Sequence, residues 1–378
     1  MSKNLQRLSA LALVLLLCLV GCGPTWEATV IAPDGSSLVV DAEFLEGLAG
    51  FAEEDLGVPL DRVLWTAGYR VIERVAVIEP EGARHEFAWA GAADDAWWQE
   101  NGQVVIAGGE FPVARVEAEP LGLLEEVQGR IIDIAPTVAA SLGLPAPAQA
   151  TGRVLEAPAA SQALLLFLDG FGYVRVTEAR EAGLIPNIAA LSEPMLGLTE
   201  YPPSTRVGTA ALLTGAPPQV NGVDGRSVRS TKVETLFDVA AANGLEVVAV
   251  EGEALAFNLR GAEVQLSGDR DGNGSTDDNV LANAMAVLEA GTPDLFLVHF
   301  HGIDDAGHTY GPGTSEEEAV IREVDAAVGE LLQSLPSGTL VVIFADHGMH
   351  TVEEEGRLGN HGNLVERDML VPIWVIEK

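Results

Sequence analysis

The sequence predicts an α/β fold, with a doubly wound, mostly parallel sheet over residues 161–378 and a small α+β domain over residues 22–117. Beyond residue 160 the apolar runs lack polar alternation, as is typical of parallel strands that are buried on both faces. Helical segments separate these runs, and such alternation is typical of doubly wound sheets. The expected strands are Ala163–Leu168, Glu246–Val250, Asp294–Phe300 and Thr339–Phe344. The expected helices are Val207–Leu213, Val233–Asn243, Asp278–Ala290 and Ser315–Leu335.

The first residues have the pattern of a secretory signal. Two basic residues precede the apolar run Leu8–Leu19, which is shorter than the roughly 20 residues that a membrane span needs. The run ends in Leu19-Val20-Gly21-Cys22, which resembles the bacterial lipoprotein cleavage box. We expect a lipoprotein signal peptide over residues 1–21, a lipid on Cys22 and a lipid-anchored protein of the bacterial cell envelope, at the outer membrane or the periplasmic face. An ordinary secretory signal is the alternative.

Composition excludes two classes of site. The chain has 56 acidic and 21 basic residues, a formal charge of −35, which argues against nucleic-acid binding because phosphate backbones require basic residues. The two cysteines are Cys18, inside the expected signal peptide, and Cys22. We therefore expect neither disulfides nor thiolate metal ligands in the mature chain.

The region 22–117 has short strand-like stretches separated by turns such as Pro33-Asp34-Gly35, which indicates a small α+β module. Two pieces, around Gly57–Tyr69 and Gly109–Val116, weakly resemble the molybdopterin-binding domain of sulfite-oxidase-like proteins. The cysteine that binds molybdenum in that family is absent here, so the resemblance implies a similar scaffold only. An unrelated β-rich module is the alternative.

Residues that commonly bind metal ions follow the expected strands of the larger domain. Asp169 comes directly after the first strand, and Asp346 and His347 come shortly after the last. Asp304 and His308 flank a turn that contains glycine. Ligands bind at the carboxyl ends of strands in open α/β sheets. Carboxylate and neutral imidazole suit zinc, and also manganese or iron.

Five short motifs resemble the alkaline phosphatase superfamily, and within it the type I phosphodiesterase/nucleotide pyrophosphatase family. They are Asp169-Gly170, Pro202–Thr205 with Leu213-Thr214-Gly215, Asp304–Pro312, Asp346–Met349 and His361-Gly362. The resemblance covers Ala163–Ile376 and implies two divalent metal ions, zinc with manganese as the alternative. It implies that Asp304, His308 and His361 hold one ion, and that Asp169, Asp346, His347 and the Thr205 oxygen hold the other.

The resemblance also implies that Thr205 is a nucleophile. A threonine before a helix is otherwise more often an N-cap, and Ser204 is the alternative nucleophile. A hydroxyl bound to a divalent ion can become an alkoxide. We expect double in-line displacement on a small-molecule phosphoester, through a phosphothreonyl intermediate.

Two arginines depart from the pattern of nucleotide-specific relatives. Arg206 stands where many of those relatives have an aromatic residue, and Arg226 stands near an asparagine that contacts a phosphoryl oxygen. Arginine can bind phosphate in a bidentate manner, so both are candidate phosphate-binding residues that favour monoesters or phosphonates; surface positions are the alternative. The sequence after Thr205 lacks the Pro-x-Arg of sulfatases, which argues against a formylglycine sulfatase.

One loop resembles an aspartate-rich calcium site. Its candidate ligands are Asp269, Asp271, Asn273 and Asp277, around a central glycine. The usual glutamate at the twelfth position is replaced by Val280. The alternative is a polar loop in which Thr276 or Asp277 caps the next helix.

The segment 118–160 contains Ile132-Asp133-Ile134-Ala135-Pro136-Thr137. It resembles a segment that follows the last core strand in this superfamily, but here it precedes the first. We therefore hypothesise a circular permutation in which a helix over Asp133–Leu142 packs beside the C-terminal strand. A linker helix is the alternative.

These observations favour a metal-dependent phosphoesterase of the phosphodiesterase/pyrophosphatase type. A phosphomonoesterase, a phosphonate hydrolase or a phosphoryl-transfer mutase on the same site is the first alternative. A non-catalytic lipoprotein binding module, with the N-terminal domain as its working part, is an alternative of another class.

Overall fold

A computed structural model describes residues 26–225, 227–354 and 356–378. The expected signal peptide (1–21), Cys22 and Arg226 lie outside the described residues. The chain divides into two compact units, the first ending at Pro120 and the second spanning Leu121–Lys378. Within the described ranges, no helix combines the length and the apolar character needed to cross a membrane.

The first unit is a small α+β module, as predicted. Its strands are β1 Ala28–Ile31, β2 Ser37–Val40, β3 Val58–Pro59, β4 Ile72–Ile78, β5 Arg84–Ala88, β6 Trp97–Trp98, β7 Gln103–Ile106, β8 Gly109–Pro112 and β9 Arg115–Pro120. Its helices are α1 Ala42–Gly47 and α2 Leu60–Thr66. The strands form one sheet in the order β2-β1-β9-β4-β5 and another in the order β3-β6-β7-β8.

The second unit alternates strands and helices. Its strands are β10 Gly129–Arg130, β11 Ala163–Leu168, β12 Met195–Leu198, β13 Val247–Glu251, β14 Glu263–Leu266, β15 Leu295–Phe300, β16 Leu340–Phe344, β17 His350–Glu354, β18 Arg357–Asn360 and β19 Leu370–Glu377. Its helices are α3 Ile134–Ser141, α4 Tyr173–Glu181, α5 Pro186–Ala189, α6 Thr205–Thr214, α7 Pro218–Asn221, α8 Leu236–Ala242, α9 Asp277–Ala290, α10 Gly302–Tyr310, α11 Ser315–Ser334 and α12 Glu366–Met369.

Eight of these strands form the main sheet, in the order β10-β12-β19-β16-β11-β15-β13-β14. All pairs are parallel except those that β19 makes with its two neighbours. Every residue of β11, β15 and β16 is buried, and alternate residues of β11 pack into two apolar clusters on the two faces. The doubly wound, mostly parallel sheet is therefore confirmed.

The expected strands and helices of the second unit begin and end within a few residues of the observed ones. The largest difference is the start of one helix, which hydrogen bonds at that start explain. The helix expected over Val233–Asn243 begins at Leu236. Thr235 and Asp238 form a capping box: the Thr235 hydroxyl accepts from the Asp238 amide at 3.1 Å, and the Asp238 carboxylate accepts from the Thr235 amide at 2.9 Å. These bonds satisfy amides that have no partner inside the helix, so they fix its start.

The segment that follows Pro120 belongs to the second unit. β10 pairs with β12, and Gly129 lies against Ile373 of β19. The Asp133 carboxylate accepts from the Arg130 amide at 2.9 Å and the Arg153 amide at 2.8 Å, which anchors the start of α3. The residue Gly129 thus lies beside the C-terminal strand, while the packing of the helix over Asp133–Leu142 against that strand and the permuted chain order stay predictions.

Gly208 offers a test of how closely α6 approaches the sheet edge. A Cβ at this position would lie 2.6 Å from the Cβ of Asp346, so Gly208→Ala should lower the free energy of unfolding by about 1–3 kcal/mol. The matched control is Gly122→Ala in the same unit, where a Cβ would meet nothing within 4 Å. Urea unfolding measures both, and equal stabilities would contradict the close packing.

Candidate metal and active site

The candidate ligands meet at one edge of the main sheet. β16, β11 and β15 are neighbours, and they run in the same direction. Asp346 and Asp169 follow β16 and β11, and α10, which carries Asp304, follows β15. Since parallel strands end at the same edge, the sheet order brings together residues that are far apart in the sequence.

The first ligand group consists of Asp304, His308 and His361, whose ligand atoms lie within 4.8 Å of one another. The Nε2 atoms of His308 and His361 lie 3.3 Å and 3.9 Å from carboxylate oxygens of Asp304. The Nδ1 atoms lie 2.7 Å and 2.9 Å from the carbonyl oxygens of Gly359 and Pro203. Each backbone carbonyl can accept the Nδ1–H proton, which leaves Nε2 as the ligand atom.

The second ligand group consists of Asp169, Asp346 and His347, all buried. The His347 Nε2 atom lies 3.4 Å from Asp169 Oδ1, 3.3 Å from Asp346 Oδ2 and 3.5 Å from the Thr205 hydroxyl. The rings of His347 and His361 stack with 3.8 Å between their centres. The two groups are therefore in direct contact, with Thr205 beside the second.

Three carboxylate oxygens in these groups are buried without a hydrogen-bond partner among the described residues: Asp169 Oδ1, Asp304 Oδ1 and Asp346 Oδ2. A buried, unpaired carboxylate oxygen is costly, and a divalent cation is the partner that such an oxygen requires. The donor set of carboxylates and imidazoles matches zinc and manganese chemistry. The residues present therefore fit metal ions, as the sequence motifs indicated.

The shifted pKa values of the second ligand group also indicate a metal site. Burial, together with the nearby Asp169 carboxylate, raises the pKa of Asp346 to about 8. Burial opposes the charged form of His347, yet the carboxylates of Asp346, Asp304 and Asp169 raise its pKa to about 9. Cations in the site would displace these protons, because metal ligands bind in their deprotonated forms.

A further cluster, of histidines and a glutamate that were not predicted from the sequence, contacts Asp169. The Asp169 Oδ2 atom lies 3.2 Å from His299 Nε2 and 3.4 Å from His301 Nδ1. The other ring nitrogens of these histidines lie 2.9 Å and 3.2 Å from one oxygen of Glu251. Although burial opposes it, His299 and His301 lower the pKa of Glu251 to about 2. Two imidazoles thus bridge two buried carboxylates and orient Asp169.

Two of the three residues that join Asp169 in this cluster could have been recognised from the sequence. His299 and His301 are two residues apart at a strand end, three residues or more before Asp304, and this spacing places them on one face if the strand continues. The His299 ring stacks on Phe167 with 3.7 Å between centres. Glu251 carried no signal, because its role depends on β13 being the neighbour of β15.

The first ligand group opens into a cavity of about 210 Å³. Its lining residues are Ser204, Thr205, Arg206, Ala256, Asp304, His308, Arg357 and His361. Thr205 and Arg206 both line this cavity, while their roles as nucleophile and phosphate-binding residue stay predictions, and the Arg206 Nε atom donates to the Ala256 carbonyl at 3.1 Å. The Ser204 hydroxyl is buried and lacks a hydrogen-bond partner among the described residues. Arg357 is a further cation that the sequence analysis did not single out.

The structure brings together three of the four candidate calcium ligands. Asp269 accepts from the amides of Gly272 and Gly274, and the Asp271 carboxylate accepts from the side chain of Asn273. Asp277 points elsewhere: its two oxygens accept from the amides of His301 and Gly302, each at 2.9 Å. Asp277 thus caps α10, not the helix that it begins, because the start of α10 offers unpaired amides.

Glu251→Gln should weaken both the fold and the metal site. The variant loses the charge that holds His299 and His301, so we expect the free energy of unfolding to fall by about 1.5–3 kcal/mol. Zinc affinity should fall about tenfold or more, since Asp169 loses its support. Urea unfolding and calorimetric zinc titration measure these effects. The matched control is Glu323→Gln on the exposed face of α11, and a Glu251 variant that behaves like it would refute the role.

Comparison with known proteins gives the same family as the motifs. Residues 249–372 match the model of the type I phosphodiesterase / nucleotide pyrophosphatase family. The catalytic subunit of human GPI ethanolamine phosphate transferase 3 is 30% identical over 82 residues, which are 22% of this chain and 8% of that protein. Human ectonucleotide pyrophosphatase/phosphodiesterase family member 7 is 37% identical over 78 residues, 19% of this chain and 16% of that protein.

Phosphonoacetate hydrolase from Sinorhizobium meliloti 1021, solved with phosphonoformate, is 22% identical with a TM-score of 0.43, covering 54% of this chain and 60% of that one. The chain thus spans less than a fifth of the two human relatives and just over half of the solved hydrolase. The family model and the motifs agree: residues 249–372 of the second unit are similar to the type I phosphodiesterase / nucleotide pyrophosphatase family.

Proposed function

We propose that the protein is a metal-dependent hydrolase of phosphoric ester bonds that uses Thr205 as its nucleophile. The observation that carries this proposal is the convergence of three buried carboxylate oxygens without hydrogen-bond partners and three imidazoles in two adjoining groups, the first of which lines the cavity. The Thr205 hydroxyl lies at that point, 3.5 Å from His347 Nε2. A purely structural cluster would be expected to satisfy its carboxylates internally.

Two divalent ions fit the two groups, zinc by donor chemistry and manganese as the alternative. Asp304, His308 and His361 would hold one, and Asp169, Asp346, His347 and the Thr205 oxygen would hold the other. When bound, such ions polarise phosphoryl oxygens and favour a deprotonated hydroxyl. Their charge would also attract an anionic substrate to a chain whose formal charge is −35.

The reaction that we propose has two displacements. The Thr205 oxygen, having lost its proton, attacks phosphorus, and the bond from phosphorus to the leaving alcohol breaks as that alcohol takes up a proton. Water then attacks phosphorus of the phosphothreonyl group, which restores the threonine hydroxyl and releases the product phosphate. The net reaction is hydrolysis of one ester bond by one water molecule.

The position of Thr205 suits this role. It is the first residue of the ten-residue helix α6, and the first intrahelical bond runs from the Gly208 amide to the Ser204 carbonyl at 2.8 Å. The earlier amides of the helix therefore remain available at the cavity. Such amides and the helix dipole favour a phosphoryl group beside the N-terminus.

The relatives support the class of reaction. The human proteins are named as a nucleotide pyrophosphatase/phosphodiesterase and as an ethanolamine phosphate transferase, and both names describe transfer at a phosphoric ester. We therefore place the natural substrate among small-molecule phosphoesters.

We also propose that the protein is anchored to the bacterial envelope through a lipid on Cys22. The apolar run and the Leu19–Cys22 box support this, while these residues lie outside the described part of the chain. Cells fed labelled palmitate should label the wild-type protein and not Cys22→Ser. Labelling of the serine variant to the same extent would contradict the anchor.

Thr205→Ala should abolish turnover, because the variant has no oxygen to form the phosphothreonyl group. The activity panel contains a nitrophenyl monoester, its methyl diester, a phenylphosphonate and a sulfate ester at alkaline pH, measured before and after chelation. Fastest hydrolysis of the diester would support the phosphodiesterase type, whereas the monoester or phosphonate would support the first alternative.

The control for this variant is Thr209→Ser, one helical turn away on α6, which keeps its hydroxyl and should retain turnover. Full activity in Thr205→Ala would refute the nucleophile. If wild-type protein keeps two metal equivalents yet hydrolyses nothing, the binding-module alternative gains support. Loss of metal in His308→Ala would then show whether the ligand set binds ions at all.

A further inference from the structure

Arg357, the first residue of β18, is a cation beside the first ligand group and the cavity. Its Nη2 atom lies 3.0 Å from both ring nitrogens of His308. An atom equally close to both nitrogens must lie over the face of the ring, because an in-plane position would collide with the carbon between them. The guanidinium therefore stacks on His308, and this stacking leaves most of its N–H groups unused.

Few of the Arg357 donors are engaged elsewhere. The Nε atom donates to the Gly359 carbonyl at 3.1 Å. Among the side chains that the structure describes, those of residues 26–225, 227–352 and 356–378, no carboxylate lies within 4 Å of this guanidinium, whereas Arg175, Arg260 and Arg367 all pair with carboxylates. In a chain with 56 acidic and 21 basic residues, an arginine without a carboxylate partner at a cavity calls for an anionic ligand.

Arg206 is a second arginine at the cavity that has no carboxylate partner among the described side chains. It lines the same cavity from the first turn of α6, and no salt bridge to it occurs within the described ranges. Burial and the neighbouring Arg229 lower the pKa of its guanidinium, with no carboxylate acting to raise it. α6 and β18, which are distant in the sequence, thus each place an arginine at the same cavity. Neither arginine has a carboxylate partner among the described side chains.

The cavity brings the two arginines close to the expected site of reaction. Its volume is about 210 Å³, and Thr205, Asp304, Arg206 and Arg357 all line it. Thr205 and Asp304 mark the position of the reacting phosphoryl group under the proposed function. The arginine donors beside that position favour a carboxylate or a phosphate.

Resting on the proposed function, we propose that Arg357 and Arg206 form an anion subsite that selects a substrate with a second negatively charged group. That group is a carboxylate or a second phosphate, separated from the reacting phosphoryl group by a few atoms. Arg357 is then a specificity-determining residue and not part of the bond-breaking chemistry.

Three phosphonates of matched length test the subsite by binding. Propylphosphonate, 3-phosphonopropionate and ethane-1,2-diphosphonate share the phosphonate end and differ in the far group, which is methyl, carboxylate or phosphonate. Calorimetric titration into the metal-loaded protein, with metal content checked before and after, gives three dissociation constants. The far carboxylate or phosphonate should tighten binding by about tenfold or more, and the two anionic ligands show which group is preferred.

Arg357→Gln should remove this advantage and leave the affinity for propylphosphonate within about twofold. Arg357→Lys should keep part of it, because lysine retains the charge without the bidentate geometry. Arg206→Gln provides a second, independent variant. The control is Arg322→Gln on α11, where the arginine pairs with Glu318 outside the cavity.

The subsite is refuted if wild-type protein binds the three ligands equally or binds none of them. It is also refuted if Arg357→Gln weakens all three equally, since Arg357 would then bind the reacting phosphoryl group. Failure of the proposed function looks different, because the binding preference would persist while the activity panel shows no hydrolysis.

Discussion

The burial of like charges at one sheet edge is the constraint that shapes this protein. Asp169, Asp346 and Asp304 converge there, and the imidazoles of His308 and His347 lie within 3.4 Å of their carboxylates. The backbone carbonyls that accept from His308 and His361 fix which ring nitrogen faces the carboxylates. Because buried charges without partners lower stability, this cluster supports the proposed ion site.

The order of strands makes this convergence possible. β11 lies between β16 and β15, so segments separated by well over a hundred residues end side by side. Behind them, α3 and the chain around Gly152 pack against the end of α6, where the Gly152 amide donates to the Gly215 carbonyl at 3.0 Å. The helix that carries Thr205 is thus supported from the sheet side by Gly208 and Asp346 and at its far end by a segment that precedes the core in sequence.

The sequence revealed the parts of the site that depend on spacing along the chain. Asp169 could be placed because it directly follows an apolar run, and the parallel sheet followed from such runs. Glu251 could not be placed, because its partnership with His299 depends on β13 and β15 aligning Val250 with Val298. Arg357 was missed for a similar reason: a hairpin folds it over His308, and nothing in its neighbours along the chain indicates that contact. Patterns along the chain predict helices and strands. Contacts between side chains of different helices and strands depend on how these align in the fold, which such patterns do not show.

The antiparallel strand β19 has a consequence for the order of assembly. β12 joins the sheet only through β10 and β19, and the Thr199 amide, six residues before Thr205, donates to the Met369 carbonyl at 3.0 Å. The chain that leads into α6 therefore takes its final register only when residues 370–377 have joined the sheet, which is a contact between distant parts of the sequence. A change in β19 can therefore displace the start of α6, although the two elements are far apart in the sequence.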